Sequence, residues 1–543
     1  MSQLNTAPPK FDFKGIKKIT IPKRDVDFSG EDYGWGIIKK YLPNILSTHQ
    51  ENANKIEYLY NYFLGVQDIL YKERLHEVNK SNNNKEVENH ANRQVEFKVG
   101  FLCGEQRDYT HKSDTDSDDL VYLDRYFTDT SFFAKDSDIK EYIYSVGIGV
   151  SRTVPRTDII INDGIDPLTK TNKVRYANEK DGFNIEFEAP FEFDCVDPRE
   201  NFNVYSSASN GKALFSVSYV DVDVSTENDK QPILQKEILI ETRYATFLFR
   251  SDSKFVNFYW NENDVVITPK PSHLRYLPLI EFSVNKDRIG IIEKNRSSFN
   301  TINLFRSSTN DMVVDNANSI LVFKNVDIDS PTVKEMRKAG AIIISDNPNS
   351  PKGGVASVET VTIKIEFDKM ATYLDQVMQN CYDIVGVPLA SGQVTSGGDT
   401  GQARLLGGGW NNAYIIIHKE IQKLLQQDTE QLKLILMLCK QVPNCPINEL
   451  YASQIEINYR VNQNDNLLVK TQSMSNLYNI GCDIEFILKV CGLSNDIKTD
   501  AKKWKENIEK VKQAQNTTTE NIVVDENNNS SQEWLYEVRE KPV

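Results

Sequence analysis

The sequence has no long apolar run and no paired-cysteine motif. Apolar stretches such as residues 414–417 and 434–438 fall far short of the ~20 residues that cross a bilayer, so we expect no membrane span. The seven cysteines form no Cys-x-x-Cys pair, and their odd number and irregular spacing predict reduced thiols, as in a cytosolic compartment. No apolar signal segment occupies the first residues of the sequence.

The sequence also lacks the motifs of common catalytic and nucleotide-binding sites. The glycine-rich stretch at residues 392–401 contains no lysine, so it is not a phosphate-binding Walker loop, and the six histidines are scattered. Asp221 and Asp223 alternate along an expected strand, where they either bind a metal, as in a hydrolase, or simply face solvent. We therefore expect no catalytic residues, no metal and no cofactor, and keep a metal-dependent hydrolase as an alternative.

What the sequence does have is a surplus of acidic residues. Its 63 Lys and Arg against 77 Asp and Glu give a formal net charge of −14. A surface that grips nucleic acid throughout depends on clustered Lys and Arg, so this balance argues against such binding and leaves room only for a local basic patch. With 39% hydrophobic residues over 543 positions, the chain can form several compact parts.

Hydrophobic periodicity divides the first half of the chain into a helical and a β-rich part, which predicts an α+β fold. Residues 35–104 carry apolar side chains at three- and four-residue spacing, as helices do. Residues 141–284 hold short runs of β-branched and aromatic residues separated by Gly, Asn, Asp and Pro, which predicts antiparallel strands. The expected strands lie at residues 142–144, 159–161, 183–187, 217–224 and 246–249.

Two long helices flank a small module in the second half of the chain. Residues 291–317 are typical of a polar helix about 40 Å long, and residues 368–385 predict an amphipathic helix with Asp368 as its N-cap. The module between them is expected to have strands at residues 320–323, 341–345 and 360–365. A glycine-rich loop follows at residues 386–402, and then a longer helix to about residue 440, which the glycines at 407–409 should kink.

A ring explains this arrangement better than a monomer does. A monomer has little reason to hold out a polar helix, whereas in a ring the long helices can pack against neighbours and line a pore. Beyond them we expect a strand at residues 455–461 and helices at 466–479, 483–490 and 498–514. The last residues, rich in Asn, Thr, Ser and Glu, have the composition of a disordered tail.

Several short stretches occur in a recognisable order. They are YFLGVQDIL at 62–70, NHANR at 89–93 with KVGFLCG at 98–104, LPLIEF at 277–282 with Asn285 and Gly290, STND at 308–311, and GDTGQA at 398–403. In this order and spacing, over residues 50 to 510, they resemble the portal proteins, or head-to-tail connectors, of tailed double-stranded DNA bacteriophages. Each stretch is short, so their order carries the resemblance.

The resemblance implies a multi-part α+β portal subunit with a β-rich wing, two stem helices flanking a small α+β clip, a long kinked helix and a helical crown. These parts would be an N-terminal arm (1–30), a wing that is helical and then β-rich (31–290), stem helix 1 (291–317), the clip (318–357), a strand and stem helix 2 (358–386), the tunnel loop (387–402), the long kinked helix and wing return (403–461), the crown (462–515) and a disordered tail (516–543).

The resemblance also implies a function. About twelve copies would form a closed ring at one capsid vertex. Double-stranded DNA would be packaged and ejected through its channel without sequence specificity. The clip would meet the terminase packaging motor and later the head–tail adaptor. Major capsid and scaffolding proteins would be further partners, with assembly in the host cytoplasm, a final location in the virion, and no membrane involved.

Two sets of candidate site residues follow from this resemblance. The tunnel loop offers hydroxyls, amides and one carboxylate for transient phosphate contacts: Gln393, Thr395, Ser396, Asp399, Thr400 and Gln402. On the first stem helix, Lys294, Arg296 and Arg306 either form basic rings that face DNA or pair with Asp or Glu of a neighbouring subunit. A tail or baseplate subunit, which would share the β-rich middle and the lack of catalysis, is an alternative function.

Overall fold

The chain divides into two compact units. One comprises residues 1–107 and 111–460, and the other comprises residues 108–110 and 461–543. A computed structural model describes residues 11–22, 28, 33–73, 83–112, 119–165, 172–207, 211–223, 234–251, 266–271, 276–317, 320–324, 331–332, 335, 355, 357–361, 367–389, 410–461, 467–491 and 500–511.

The described helices confirm the long elements expected from the sequence. They are α1 (Trp35–Phe63), α2 (His90–Cys103), α3 (Asp119–Asp129), α4 (Phe132–Val146), α5 (Ile291–Ala317), α6 (Phe367–Val385), α7 (Trp410–Cys439), α8 (Leu467–Ile480) and α9 (Ile484–Cys491). Residues 500–511 are helical as well, and short 3-10 turns cover Asp68–Tyr71, Glu179–Asp181 and Ala452–Gln454. The helix predicted over residues 291–317 has the predicted bounds.

The described strands are short, as the sequence predicts. They are β1 (Thr20–Ile21), β2 (Asp108–His111), β3 (Gly149–Pro155), β4 (Ile160–Ile165), β5 (Asn172–Tyr176), β6 (Phe191–Val196), β7 (Asn201–Ser206), β8 (Ala213–Asp223), β9 (Leu234–Thr242), β10 (Ala245–Ser251), β11 (Val266–Pro271), β12 (Leu279–Phe282), β13 (Ile320–Lys324), β14 (Ser357–Val361) and β15 (Ile455–Asn458). The mixture of helices and several sheets confirms the α+β class.

Most of the described strands form four sheets of the larger unit. A six-stranded sheet has the order β1-β7-β8-β9-β10-β11, with β1 parallel to β7 and the remaining pairs antiparallel. A three-stranded antiparallel sheet has the order β12-β3-β6, and β4 pairs with β5. In the module after α5, β13 pairs antiparallel with β14, with Ile320 opposite Val361.

The main apolar core lies where the six-stranded sheet meets α1. Ile38 and Leu42 lie four residues apart on α1, so they share one helix face, and both are fully buried. Val217 and Ile240 are opposite each other on β8 and β9 and are buried in the same cluster. Trp35 stacks on a phenylalanine of β10 at the edge of this cluster. Period-two burial on the strands and period-four burial on the helix therefore build one core.

Two of the predicted strands are wrong. Residues 142–144 lie in helix α4, because Ile139, Ile143 and Val146 fall on one buried helix face that outweighs their local preference for strands. Gly147, in the left-handed conformation at φ 99°, ends this helix. Residues 183–187 form turns, in which Asn184 Oδ1 accepts the N–H of Glu186 at 2.9 Å.

Other expectations shift by a few residues or lie outside the described residues. Asp368 stands within the first turn of α6 rather than at its N-cap. The last strand of the module runs over residues 357–361 instead of 360–365, and the one after α7 ends at Asn458 rather than residue 461. The strand at 341–345, most of the glycine-rich loop, the kink at 407–409 and the tail at 516–543 lie outside the described residues.

Apart from residues 108–110 of β2, the described elements of the smaller unit are helices. Ile484 and Leu488 on α9 are buried against Ala501 in the helical residues 500–511. Tyr478, near the end of α8, stacks on Trp504 with ring centroids 5.8 Å apart. These contacts join α8, α9 and the last helix into a small apolar cluster.

Candidate functional site

The joint that leads into α5 is built from one of the stretches that resemble portal proteins. After β12, Asn285 closes a turn: its side chain donates to Ile289 O at 2.7 Å and accepts the N–H of Ile289 at 2.9 Å. Gly290 then lies backbone to backbone against the end of α4, since a Cβ there would lie 2.6 Å from Ser145 O. Asn285 and Gly290 therefore set where α5 begins.

The polar face of α5 is occupied within its own chain. Residues 83–89 run beside the helix in the opposite direction, and every second backbone N–H donates to a side chain of α5. Asn84 N donates to Asp311 Oδ1 at 3.0 Å, Glu86 N to Ser307 Oγ at 3.0 Å, and Glu88 N to Asn303 Oδ1 at 2.9 Å. We call this set of hydrogen bonds the α5 ladder.

The α5 ladder works because two periodicities match. Two residues of extended chain advance about 6.6 Å, and four residues of α-helix advance about 6.0 Å. Residues 84, 86 and 88 can therefore meet residues 311, 307 and 303 in sequence without strain. Ser307 and Asn303 are fully buried, so the contact also excludes water.

Further amides and hydroxyls hold the N-terminal half of α5. Buried Asn295 donates from Nδ2 to Gln94 Oε1 on α2 at 2.9 Å and to Cys381 O on α6 at 2.7 Å, so it ties three helices together. Tyr62 at the end of α1 donates to Asn300 Oδ1 at 2.9 Å, and Asn300 Nδ2 donates to Asp68 Oδ2 at 2.8 Å. The stretch at residues 62–70 thus contacts α5 directly.

Two of the three predicted stem cations pair with carboxylates of their own chain. Arg296 Nη1 lies 3.0 Å from Asp68 Oδ2, and its guanidinium lies over a phenylalanine ring. Arg306 Nη2 lies 3.1 Å from Glu88 Oε1, beside the α5 ladder. Lys294 is exposed and forms no ion pair within the described part of the chain. Whether these cations face DNA or a neighbouring subunit stays a prediction.

The two ends of the glycine-rich segment meet. The predicted residues Gln393, Thr395, Ser396, Asp399, Thr400 and Gln402 lie outside the described residues, but the flanking helices are described. Asn412 Nδ2, in the first turn of α7, donates to Asp383 O near the end of α6 at 3.3 Å. Gly386 has φ 65°, and a Cβ there would lie 2.5 Å from Cδ1 of Ile416. Glycine therefore permits close contact between the end of α6 and α7.

Buried ions anchor the middle of α7. Asp428 Oδ1 lies 2.8 Å from Arg107 Nη1 and 3.8 Å from Lys140 Nζ, while Asp136 on α4 pairs with the same two cations at 3.0 and 2.8 Å. Tyr459 donates to Asp428 Oδ2. Burial alone would raise the pKa of Asp136, but Arg107 and Lys140 outweigh it and hold this pKa below its usual value. We call this neutral set of two cations and two carboxylates the α7 anchor.

A second buried carboxylate lies about two turns closer to the start of α7. Glu420 Oε2 accepts a hydrogen bond from the hydroxyl oxygen of Tyr144 at an O···O distance of 2.9 Å and lies 3.4 Å from Lys98 Nζ. Burial lowers the pKa of Lys98, and the charge of Glu420 partly offsets that effect. This second contact joins α7 to α2 and α4.

The two aspartates considered for a metal site are placed differently. Asp221 lies on β8 and pairs with Lys236 of the neighbouring strand, with its Oδ1 2.7 Å from Lys236 Nζ. Asp223 lies at the end of the same strand. Across the residues that the structure describes, no group of three or more His, Cys, Asp or Glu is placed to hold a metal ion.

Some of the polar residues that contact α5, such as Tyr62 and Asp68, belong to the stretches that resemble portal proteins, and comparison with known families agrees. A profile of the family described as "Phage portal protein, SPP1 Gp6-like" matches residues 43–514. The chain belongs to the phage portal protein family. No curated protein matches the chain.

Portal membership gives the protein its general function. It is a structural component of the virion capsid, a ring-forming subunit of the vertex channel for DNA. This confirms the prediction from the ordered stretches and favours a portal over a tail or baseplate subunit. Among the described helices of this portal protein, none is long and apolar enough to cross a membrane.

The α5 ladder and the α7 anchor were not predicted. The ladder has a visible signal, since polar residues recur at every fourth position from Asn303 through Ser307 to Asp311. The anchor has none, because Arg107, Asp136 and Asp428 are far apart in sequence and only the fold brings them together.

Proposed function

We propose that about twelve copies of this portal protein form a closed ring. In it, α5 and α6 line the channel, and residues 387–402 form its narrowest part. Gln393, Thr395, Ser396, Asp399, Thr400 and Gln402 then contact passing phosphates through hydroxyls and amides. Such contacts are sequence-blind and avoid the salt-dependent grip of cations, which suits DNA that must move.

The observation that supports this proposal best is the closure between α6 and α7. The helices before and after the glycine-rich segment meet through Asp383, Gly386, Asn412 and Ile416, so the segment leaves and re-enters the fold at one place. A segment with that origin can reach into a channel without displacing the helices that carry it. The α5 ladder holds the other stem helix in a fixed register.

The finer parts of the function belong to the same proposal. Residues 318–357 act as the clip, which docks the terminase motor during packaging and the head–tail adaptor afterwards. Residues 462–515 form the crown, and major capsid and scaffolding proteins contact the ring during assembly in the host cytoplasm. Lys294 is the stem cation that is available to DNA or to a neighbouring subunit, because Arg296 and Arg306 already pair within the chain.

Shortening the glycine-rich segment tests this function. We expect deletion of residues 392–396 to reduce DNA packaging strongly while leaving ring assembly intact, because the closure between α6 and α7 lies outside the deletion. Electron microscopy of purified protein measures the rings, and nuclease-protected DNA in particles measures packaging. A matched variant that keeps the length and changes Gln393, Thr395 and Ser396 to Ala separates the chemistry of the segment from its length.

The outcomes are distinct. Rings with a central hole and a packaging loss on deletion support the proposal. Normal packaging by the deletion variant contradicts the assigned role of residues 387–402, and filaments or trimers in place of rings contradict the assembly itself.

A further inference from the structure

The larger unit contains a cleft of about 810 Å³ beside β12. One wall is a face of α7, and the others come from β7, β8, β12 and the turns beside them. Residues Lys423, Gln427, Glu430, Leu434 and Met437 recur at three- and four-residue spacing, so they form a single stripe along α7. Gln427 exchanges two hydrogen bonds with the backbone of Ser283, both at 3.1 Å, which fixes this wall.

The cleft is strongly basic although the chain is acidic. Its lining includes seven cations and two carboxylates, in a protein whose net charge is −14. The cations are Lys18, Lys212, Arg243, Lys286, Arg288, Lys423 and Lys433, and the carboxylates are Glu281 and Glu430. These cations come from five separate stretches of sequence, so no single stretch predicts the cleft.

Most of these cations are not neutralised by their surroundings. Glu281 already pairs with Arg288, with Oε2 2.6 Å from Nη2, and it also accepts a hydrogen bond from the hydroxyl of Tyr205. Lys18 lies over the ring of Tyr205, and burial together with nearby Arg288 lowers the pKa of Lys18. The other five cations form no ion pair within the described residues, and all five are exposed.

Apolar side chains line the same cleft. Leu277 before β12 and Met437 on α7 are half-buried and present apolar surface to the cleft, while Leu279 and Leu434 lie buried behind its walls. The phosphate backbone of a nucleic acid has no apolar groups that could contact these side chains. A peptide with acidic and apolar side chains can contact both the cations and the apolar residues of the cleft. A cationic grip on nucleic acid is also strongly salt-dependent and opposes sliding, which a channel for moving DNA should avoid.

We propose that this cleft binds an acidic segment, bearing apolar side chains, of a partner protein that stays fixed to the ring. Carboxylates of the segment pair with Lys212, Arg243, Lys286, Lys423 and Lys433, and its apolar side chains contact Leu277 and Met437. Concave sites of this volume are typical for bound ligands. The inference rests on the proposed function only for the presence of partner proteins around a ring. The cations that line the cleft belong to the single subunit and do not depend on ring formation.

A labelled short peptide of repeated Glu-Glu-Leu is the probe, and a Gln-Gln-Leu peptide and a short DNA duplex are its competitors. Fluorescence anisotropy with the purified full chain should show that the acidic peptide binds, that high salt weakens it, and that the Gln peptide and the duplex bind less tightly. We expect Lys423→Glu with Lys433→Glu to weaken peptide binding about tenfold or more.

Two single variants make the test specific. Lys419→Glu lies on the same helix and makes the same charge change as Lys433→Glu, but it lies outside the cleft and should leave binding nearly unchanged. Glu430→Gln removes a competing carboxylate and should tighten binding a few-fold, which no loss of folding can imitate. Electron microscopy of each variant scores ring formation separately, so a failure of the ring proposal is distinguishable from a failure of the cleft proposal.

The proposal is overturned if the acidic peptide does not bind the unmodified protein, or if Lys433→Glu and Lys419→Glu weaken it equally. Duplex DNA that binds as tightly as the peptide, with the same loss in the double variant, would instead assign the cleft to nucleic acid.

Discussion

Helices α5 and α7 are of similar length, 27 and 30 residues, and both bury polar side chains, but the chemistry differs. α5 accepts hydrogen bonds from a neighbouring stretch of backbone on Asn303, Ser307 and the carboxylate of Asp311, and one buried ion pair, Glu293 with Lys55, lies at its start. α7 is held by two carboxylates of its own, Asp428 and Glu420, each paired with buried cations. The hydrogen bonds along α5 fix the register of residues 83–89 against the helix. The ion pairs of α7 join this helix to other helices at single points.

The difference has an energetic meaning. A neutral hydrogen bond is worth little in net terms, but each buried N–H that loses its partner costs about 1–3 kcal/mol. A buried ion cluster is close to balanced when it is complete, and removing one member leaves an uncompensated charge at a cost of about 3–5 kcal/mol. The α7 anchor should therefore be the more fragile of the two towards single substitutions.

The largest effect is expected at the α7 anchor. Asp428→Asn keeps the shape of the side chain but leaves Arg107 and Lys140 facing Asp136 alone. We expect the free energy of unfolding to fall by about 3–5 kcal/mol, measured by urea denaturation.

A second substitution shows whether charge is the cause. Lys140→Met added to Asp428→Asn restores neutrality and should recover a large part of the loss, so that the two changes are not additive. Losses that simply add would show that shape, not charge balance, holds α7.

A lower pH should destabilise the protein by an amount between those expected for the α7 anchor and the α5 ladder. The residue responsible, His49, lies outside α5 and α7. Buried His49 on α1 donates from Nε2 to Arg199 O at 2.9 Å, and burial lowers the pKa of His49 from 6.5 to about 4. The unfolded chain therefore takes up this proton first, and stability falls as the pH drops from 6.5 towards 4. Between pH 8 and pH 5 the loss should be about 2 kcal/mol.

The His49→Gln variant checks this assignment, because its stability should change much less between the two pH values. The α7 anchor responds to acid in a lower pH range. The pKa of Asp136 in the folded protein lies below its usual value of 3.8, so the stability that ionised Asp136 contributes is fully present above pH 3.8 and is lost only as the pH falls further. An unchanged slope in the His49→Gln variant would assign the acid sensitivity to another group.

The smallest effect is expected in the α5 ladder. Ser307→Ala removes one oxygen and leaves the N–H of Glu86 without its acceptor, which should cost about 1 kcal/mol. Ser297→Ala, on the exposed side of the same helix, should cost nothing measurable in the same denaturation experiment. If the two variants were equally stable, the ladder would not hold α5.

Much of the fold was predictable where one periodicity dominates. The bounds of α5 and of α6 follow from spaced apolar residues, and the alternating residues at 217–223 lie on β8 as expected. Prediction failed where local preference and the fold disagree. Residues 142–144 favour a strand by composition, but burial of Ile139, Ile143 and Val146 on one face makes them helical.

The functional surfaces were predictable only in part. The order of the short stretches indicated the family, and two of their residues, Tyr62 and Asn285, prove to hold α5 in place. The polarity of α5, which the sequence suggested as a reason for assembly, has an additional cause in the α5 ladder. The basic cleft could not be predicted, since its cations come from distant stretches and the overall charge points the other way.

The closure between α6 and α7 also bears on how such a protein can change over evolutionary time. Because Asp383 and Asn412 already hold the two ends together, insertions or deletions between them need not move either helix. The entropic cost of a longer loop grows slowly, by about 0.6 kcal/mol for each doubling of its length. Changes in the length of the segment at residues 390–409 should therefore leave the contact between α6 and α7 in place, so that their effect on DNA passage can be measured without a loss of folding.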